Sequence, residues 1–249
     1  MKNIDHYGHW YNEDDKKYII PRERVSLEFM KKLKLKKNSF ILDAGCGDGR
    51  FTEFIIKQFG INVKGLEYSK EGLEICKKKK IDVKFADFNE KLPFKEKYFD
   101  VIYAGEVIEH LYNPDKFLEE CNRVLKDDGF VIITTPNLCN WYNRILMLFG
   151  IQPVFIETST IDTRVGAGIL KVLKKDHHPV GHIRIFNATA LEDIFKLQNF
   201  KIIKKHGVIF EHFPKKLLFL DKFFTNFYTL SSSFVVVAKK IKKQENQPV

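Results

Sequence analysis

No apolar run in this chain approaches the ~18 residues that a membrane-spanning helix requires, so no helical span is expected. The polar, charged first residues lack the apolar core of a secretion signal. Cysteine is scarce and scattered: Cys46, Cys76, Cys121 and Cys139 form no Cys-x-x-Cys pair. That pattern reads as reduced thiols and a cytoplasmic location rather than a disulfide framework. No internal repeat is visible. A hydrophobic content of 44% is nevertheless enough for a full core. The net charge of +10 favours anionic partners. The lysines fall in separate groups at 31–37, 77–80, 171–175 and 239–243, which read as solvated faces and tails.

The residues present are patterned as an alternation of helices and strands. Residues 1–20 are an aromatic, polar arm with His6, Tyr7, His9, Trp10 and Tyr11. Pro21 suits a helix start, and Val25, Phe29, Met30 and Leu33 give that helix an apolar stripe. Strands are expected at 41–44, 63–66, 83–86, 99–104 and 130–135, with helices at 51–59, 70–80 and from Pro114 to Leu125. Uninterrupted apolar runs separated by helices predict an α/β fold, a mostly parallel sheet covered on both faces. Residues 138–180 break the alternation and are expected to be an insert over the carboxyl edge of the sheet. A helix near 188–198, a strand at 201–209 and a last strand at 234–238 complete the pattern. The tail after Lys239 is expected to be disordered.

Between the first strand and its helix lies Asp43-Ala44-Gly45-Cys46-Gly47-Asp48-Gly49. Glycine permits the sharp turn and the close approach of a ligand, and in a doubly wound sheet such a turn sits where ligands bind. A dinucleotide needs G-x-G-x-x-G and a site free of carboxylates for its pyrophosphate. Here the spacing is G-x-G-x-G, flanked by Asp43 and Asp48. Acids favour a cationic ligand, and the sulfonium and ammonium of S-adenosylmethionine match them. Glu67 ends the second strand, where a carboxylate can hold ribose hydroxyls, with Tyr68 beside it. Asp87-Phe88 ends the third, offering a hydrogen-bonding acid and an apolar face to adenine.

In combination these motifs resemble those of the class I S-adenosylmethionine-dependent methyltransferases. Leu42 to Gly49 is similar to their first motif. Phe99-Asp100-Val101-Ile102 with Glu106-Val107-Ile108-Glu109-His110-Leu111 is similar to the motif after strand four. Leu125 to Asn137 is similar to the strand-five motif, with Asp128 in place of one glycine. The resemblance implies a Rossmann-like, doubly wound sheet of seven strands, the last antiparallel. It implies a methyltransferase domain at 38–240 with the insert at about 138–180, preceded by the arm and helix at 1–37 and followed by a basic tail at 241–249.

Glu106, Glu109 and His110 stand at i, i+3 and i+4, so one helical turn over 106–111 would put all three on one face. Two carboxylates and an imidazole can bind a divalent cation such as Mg2+, or can move protons. The same spacing also suits an N-terminal helical turn stabilised by acids. Glu-x-x-Glu-His followed by a later histidine resembles the metal site of small-RNA 2′-O-methyltransferases, and a similar turn occurs in ubiquinone-type O-methyltransferases. His182, in Gly181-His182-Ile183-Arg184, is carried over as the fourth ligand, with His177 and His178 as neighbouring alternatives. The reading is therefore a methyltransferase with His110 and His182 catalytic, and with Glu106, Glu109, His110 and His182 as metal ligands. Its acceptor is expected to be a small-molecule or lipid- or sugar-linked hydroxyl, with peripheral membrane contact through 141–156. RNA is the alternative acceptor, and a non-catalytic cofactor-binding regulator is the alternative outside enzymes.

Overall fold

The computed structural model describes residues 18–173, 178–210 and 213–241. The aromatic arm, His177 and the end of the basic tail fall outside them. The elements run α1 (Pro21–Lys32), β1 (Phe40–Ala44), α2 (Arg50–Phe59), β2 (Asn62–Glu67), α3 (Lys70–Lys78), β3 (Val83–Phe85) and β4 (Phe99–Gly105). They continue as α4 (Pro114–Val124), β5 (Leu125–Pro136), α5 (Trp141–Leu148), α6 (Ala188–Leu197), β6 (Phe200–Val208), α7 (Leu218–Phe224) and β7 (Ser233–Lys240). The strands form one seven-stranded sheet in the order β3-β2-β1-β4-β5-β7-β6. Neighbours from β3 to β5 are parallel, whereas β7 runs antiparallel to both β5 and β6.

Side-chain alternation along the strands splits the core in two. Leu42, Ile102, Ala104, Val131, Ile133, Phe234 and Val236 point to one face, where α4 and α6 supply Phe117, Leu118, Leu191 and Phe195. Ile41, Val101, Tyr103, Ile132, Val235 and Val237 point to the other, against Leu27 and Met30 of α1 and Phe51 and Ile55 of α2. Central strands buried on both faces thus read as unbroken apolar runs, and that is the expected doubly wound architecture.

Short polar side chains start the helices. Ser69, Asn113, Asn140 and Asn187 each accept a hydrogen bond from the backbone N–H three residues on, satisfying a donor left over at the helix start. Two local expectations shift. β5 begins at Leu125, not Phe130, because Leu125 pairs with Phe99 before the register slips to Val101–Phe130. α7 lies in a stretch with no strong helical stripe. It is tied down by buried Asp221, which accepts from Trp141 Nε1, Ser232 Oγ and the Phe210 amide.

β1 and β4, separated in sequence by β2 and β3, lie side by side, with β2 on one flank and β5 on the other. The strand order reverses at β1, so a crevice opens at the carboxyl ends of β1 and β4.

Candidate active site

A cavity of about 590 Å³ fills that crevice. Its lining includes Asp43 of β1, Gly45, Gly47 and Asp48 from the turn that follows, Glu67 and Tyr68 at the end of β2, and Asp87 and Phe88 after β3. Glu106, His110 and His182 line it too.

The turn is pinned by Glu67. One carboxylate oxygen accepts from the Gly47 amide at 2.7 Å, and the other from the Tyr68 and Ser69 amides at 2.9 and 2.7 Å. Burial raises the Glu67 carboxyl above its ordinary value, and the three N–H donors offset part of that rise. Gly45 has φ +79°, and a Cβ there would meet Val107 Cγ2 at 2.4 Å, so both conformation and space require glycine. Asp43 is buried and accepts from Thr52 Oγ1 at 2.6 Å; burial pushes its carboxyl up to about 7. Asp48 instead accepts from the Arg50 amide and lies 3.6 Å from Lys79 Nζ. Cys46 in the turn and Cys76 of α3 approach to 3.9 Å between sulfurs. Their hydrogen bond and burial push the Cys46 thiol up.

Beyond β4 the expected helical turn over 106–111 is shorter. Only Ile108–His110 form a 3-10 turn, and Glu106 is left-handed at φ 55°. Glu106 therefore does not share a helical face with Glu109 and His110. Its Oε1 accepts from Thr134 Oγ1 at 2.9 Å and faces Arg22 Nε at 3.8 Å. Among the described residues, Glu109, His110 and His182 come together, with one potential ligand atom from each lying within 4.8 Å of the others. Glu106 is not in that group, a correction to the four-ligand set.

Glu109 is fully buried. One of its oxygens accepts from Thr135 Oγ1 at 3.0 Å, and Oε1 has no hydrogen-bond partner. Burial first, then the nearby Glu106, push its carboxyl well above the ordinary range. His110 Nδ1 lies 3.0 Å from the Gly181 carbonyl and His182 Nδ1 lies 3.0 Å from the Phe155 carbonyl. A carbonyl oxygen only accepts, so each Nδ1 carries the hydrogen and each Nε2 the lone pair. Burial lowers both imidazoles, with His182 reaching about 4 as His110 adds to the effect. Their rings are 4.9 Å apart.

His182 is brought there by the segment after α5. Glu157 accepts from the Val180, Gly181 and His182 amides at 2.8, 2.8 and 3.2 Å. The Glu109 carbonyl accepts from the Ile183 and Arg184 amides. His178 is exposed and not part of the group.

Several lining residues went unread in the sequence. α1 contributes Arg22 and Glu23, and Glu23 is bound by Arg50 of α2. A polar pair at the start of a helix outside the sheet carries no local signal of a ligand. Tyr103 does: a buried tyrosine in an aliphatic strand stands two residues before Gly105, where a Cβ would meet its hydroxyl at 2.3 Å.

A methyltransferase-domain family model matches residues 42–133. A demethylmenaquinone methyltransferase of Lactobacillus johnsonii is 30% identical over 186 residues, covering 70% of this chain and 72% of that protein. A ubiquinone biosynthesis O-methyltransferase of Pelagibacter ubique is 39% identical over 107 residues, covering 41% of this chain and 43% of that protein. Among solved structures, an S-adenosylmethionine-dependent methyltransferase from Methanosarcina mazei superimposes with a TM-score of 0.62 at 16% identity, covering 86% of this chain and 98% of that one. That last likeness is one of fold. The chain belongs to the class I S-adenosylmethionine-dependent methyltransferases, as the motifs implied.

Proposed function

We propose that Asp43, Gly45, Gly47, Asp48, Glu67, Tyr68, Asp87 and Phe88 hold S-adenosylmethionine, and that the acceptor is a hydroxyl on a small or a lipid- or sugar-linked molecule. The residues fit the cofactor. The cavity volume lies in the ~300–1,000 Å³ range of small-ligand sites. The turn is tight, with Val107 packed where Gly45 lacks a Cβ, acids stand at or just past the ends of β1, β2 and β3, and Phe88 adds an apolar wall. When bound, the cofactor supplies a sulfonium-activated methyl group. The chain's own part is to orient the acceptor and to receive a proton.

The observation that carries the oxygen reading is the His110–His182 pair. As a hydroxyl oxygen forms its bond to carbon it must release its proton, and the lone pair on His110 Nε2 can take it. In support of this reading, His110 follows β4, on the far side of β1 from the acids at the ends of β2 and β3. The printed name of the Pelagibacter relative, an O-methyltransferase of ubiquinone biosynthesis, supports an oxygen nucleophile.

The Glu109–His110–His182 group favours a second reading, a divalent cation. The donor set fits: a buried carboxylate oxygen without a partner, and two imidazoles oriented by carbonyls through Nδ1. A cation there would lower the pKa of a bound hydroxyl, and RNA 2′-hydroxyls would then join the possible acceptors.

Labelled-methyl transfer into fractionated cell extract, followed by product identification, tests both readings. A methyl ether is the expected product. His110→Ala should slow its formation at least ~100-fold, while calorimetric cofactor binding stays within about twofold. Methylation on nitrogen or carbon would sink the oxygen reading, and label confined to RNA would sink the small-acceptor reading. Loss of transfer on chelation and its recovery with Mg2+ would select the cation over direct proton transfer.

A further inference from the structure

α5 and α7 are far apart in sequence yet meet through one aromatic contact. Trp141 stacks on Phe224 at 5.0 Å with an 18° interplanar angle. Its Nε1 donates to Asp221, and Arg144 of α5 reaches the Thr229 carbonyl. The stripe of α5 that begins at Trp141 runs on through Ile145 and Leu148 at i+4 and i+7, with Phe149 just past the helix. Leu148 is 84% exposed and Phe149 77%. On α7, Phe219 and Phe223 stand at i and i+4 and are 66% and 57% exposed. The Phe223 ring contacts that of exposed Phe227 at 5.8 Å. Trp141 thus ties α5 to α7, and each helix carries large exposed apolar side chains, which soluble surfaces rarely carry without a partner.

Charge narrows what covers it. Arg144, Lys215, Lys216 and Lys222 are exposed around these residues. Within 138–156 there is no acid, and within 213–230 the only acid is Asp221, which is fully buried and occupied by three hydrogen bonds. A second copy docked face to face would set these cations against their own images. Exposed aromatic side chains, flanked by cations in two stretches whose one acid is buried, fit a negatively charged phospholipid surface.

We infer that α5 and α7 together dock this protein onto an anionic membrane surface, with Leu148, Phe149, Phe219, Phe223 and Phe227 entering the interface and the four cations meeting lipid phosphates. α5 is linked to the cavity. From Trp141, ring contacts lead through Tyr142 (5.5 Å) and Phe155 (6.4 Å) to His182 (6.3 Å). Docking goes beyond the methyl-transfer reading and does not depend on it.

Co-sedimentation of the full chain with vesicles tests the inference. Vesicles of phosphatidylcholine with roughly one-third phosphatidylglycerol should pull the protein down, phosphatidylcholine alone should not, and about 0.5 M salt should weaken binding. The double variants Phe219→Ser/Phe223→Ser and Leu148→Ser/Phe149→Ser should each bind at least ~tenfold more weakly. Their calorimetric cofactor binding should stay within about twofold of the parent, which reports an intact fold. No pull-down by anionic vesicles, equal pull-down by neutral ones, or binding unaffected by both double variants would overturn the inference. So would light scattering that shows a dimer abolished by the same substitutions. A chain that binds vesicles but no cofactor would instead overturn the methyl-transfer reading and leave this one standing.

Discussion

Asp43 is a carboxyl that the fold buries near the end of β1, with one hydrogen bond from Thr52 and a value pushed up to about 7, chiefly by burial. Its ordinary value is 3.8, so the folded chain holds a proton there that the unfolded chain has released between about pH 4 and pH 7. Stability from this group is full below about pH 4 and is lost as pH rises through about 7. Asn keeps an acceptor for Thr52 and does not titrate. Asp43→Asn should therefore remove that decline, on the order of 4 kcal/mol at most, in urea denaturation at the two ends of the range. Identical pH slopes in variant and parent would refute the assignment. A cationic ligand beside Asp43 favours its charged form, so the strain of burial is relieved on binding. Asp43 and Glu67 were legible in the sequence because each is the one acid closing an apolar strand. Arg22 and Glu23 were not, since they reach the cavity from α1, and only tertiary packing puts α1 there.

At the scale of elements, the segment between α5 and α6 serves to hold His182 against His110. Glu157 binds three successive amides of 180–182, while Glu109 anchors the next two with its backbone carbonyl. Nothing local in the sequence announces this clamp, since Glu157 and His182 are 25 residues apart. Glu157→Ala leaves three half-buried N–H groups without their acceptor, a loss of about 1–3 kcal/mol in all. Hydrogen exchange at Val180, Gly181 and His182 should speed up at least ~tenfold, with β1 and β4 amides unchanged. Unaltered exchange at 180–182 would show that the clamp is dispensable. The turn after β4 carries the opposite lesson. The i, i+3, i+4 spacing of Glu106, Glu109 and His110 suggested one face, but Glu106 takes a left-handed conformation and turns to Thr134 and Arg22. Spacing predicts a shared face only if the backbone is helical throughout, and here it is helical only from Ile108.

For the whole molecule, the cavity is built from the carboxyl ends of several strands together with α1 and the segment after α5, so its occupancy couples to global stability. Cofactor at about 100 times its dissociation constant should stabilise the folded state by about 2.7 kcal/mol, which for a chain of this size raises Tm by roughly 5–10 °C. NAD at the same concentration should raise it far less, because a pyrophosphate would meet Asp43 and Glu67. An equal shift with both ligands in a thermal melt would count against the cationic-ligand reading of the turn. Among the described residues no helix is long and apolar enough to cross a membrane.

The sheet and the gathering of glycines and acids at its carboxyl edge were determined by sequence alone. Strand periodicity, glycines at alternate positions and one acid per strand end are local features, and a doubly wound topology carries them to a common edge. What only the tertiary structure decided depends on chain segments meeting across long separations. It turned Glu106 toward Thr134 and Arg22, brought His182 to His110 through the clamp at Glu157, placed Arg22 and Glu23 in the cavity wall, and stacked Trp141 of α5 on Phe224 of α7. Such meetings are set by packing and by the satisfaction of buried polar groups, which no short window of residues encodes.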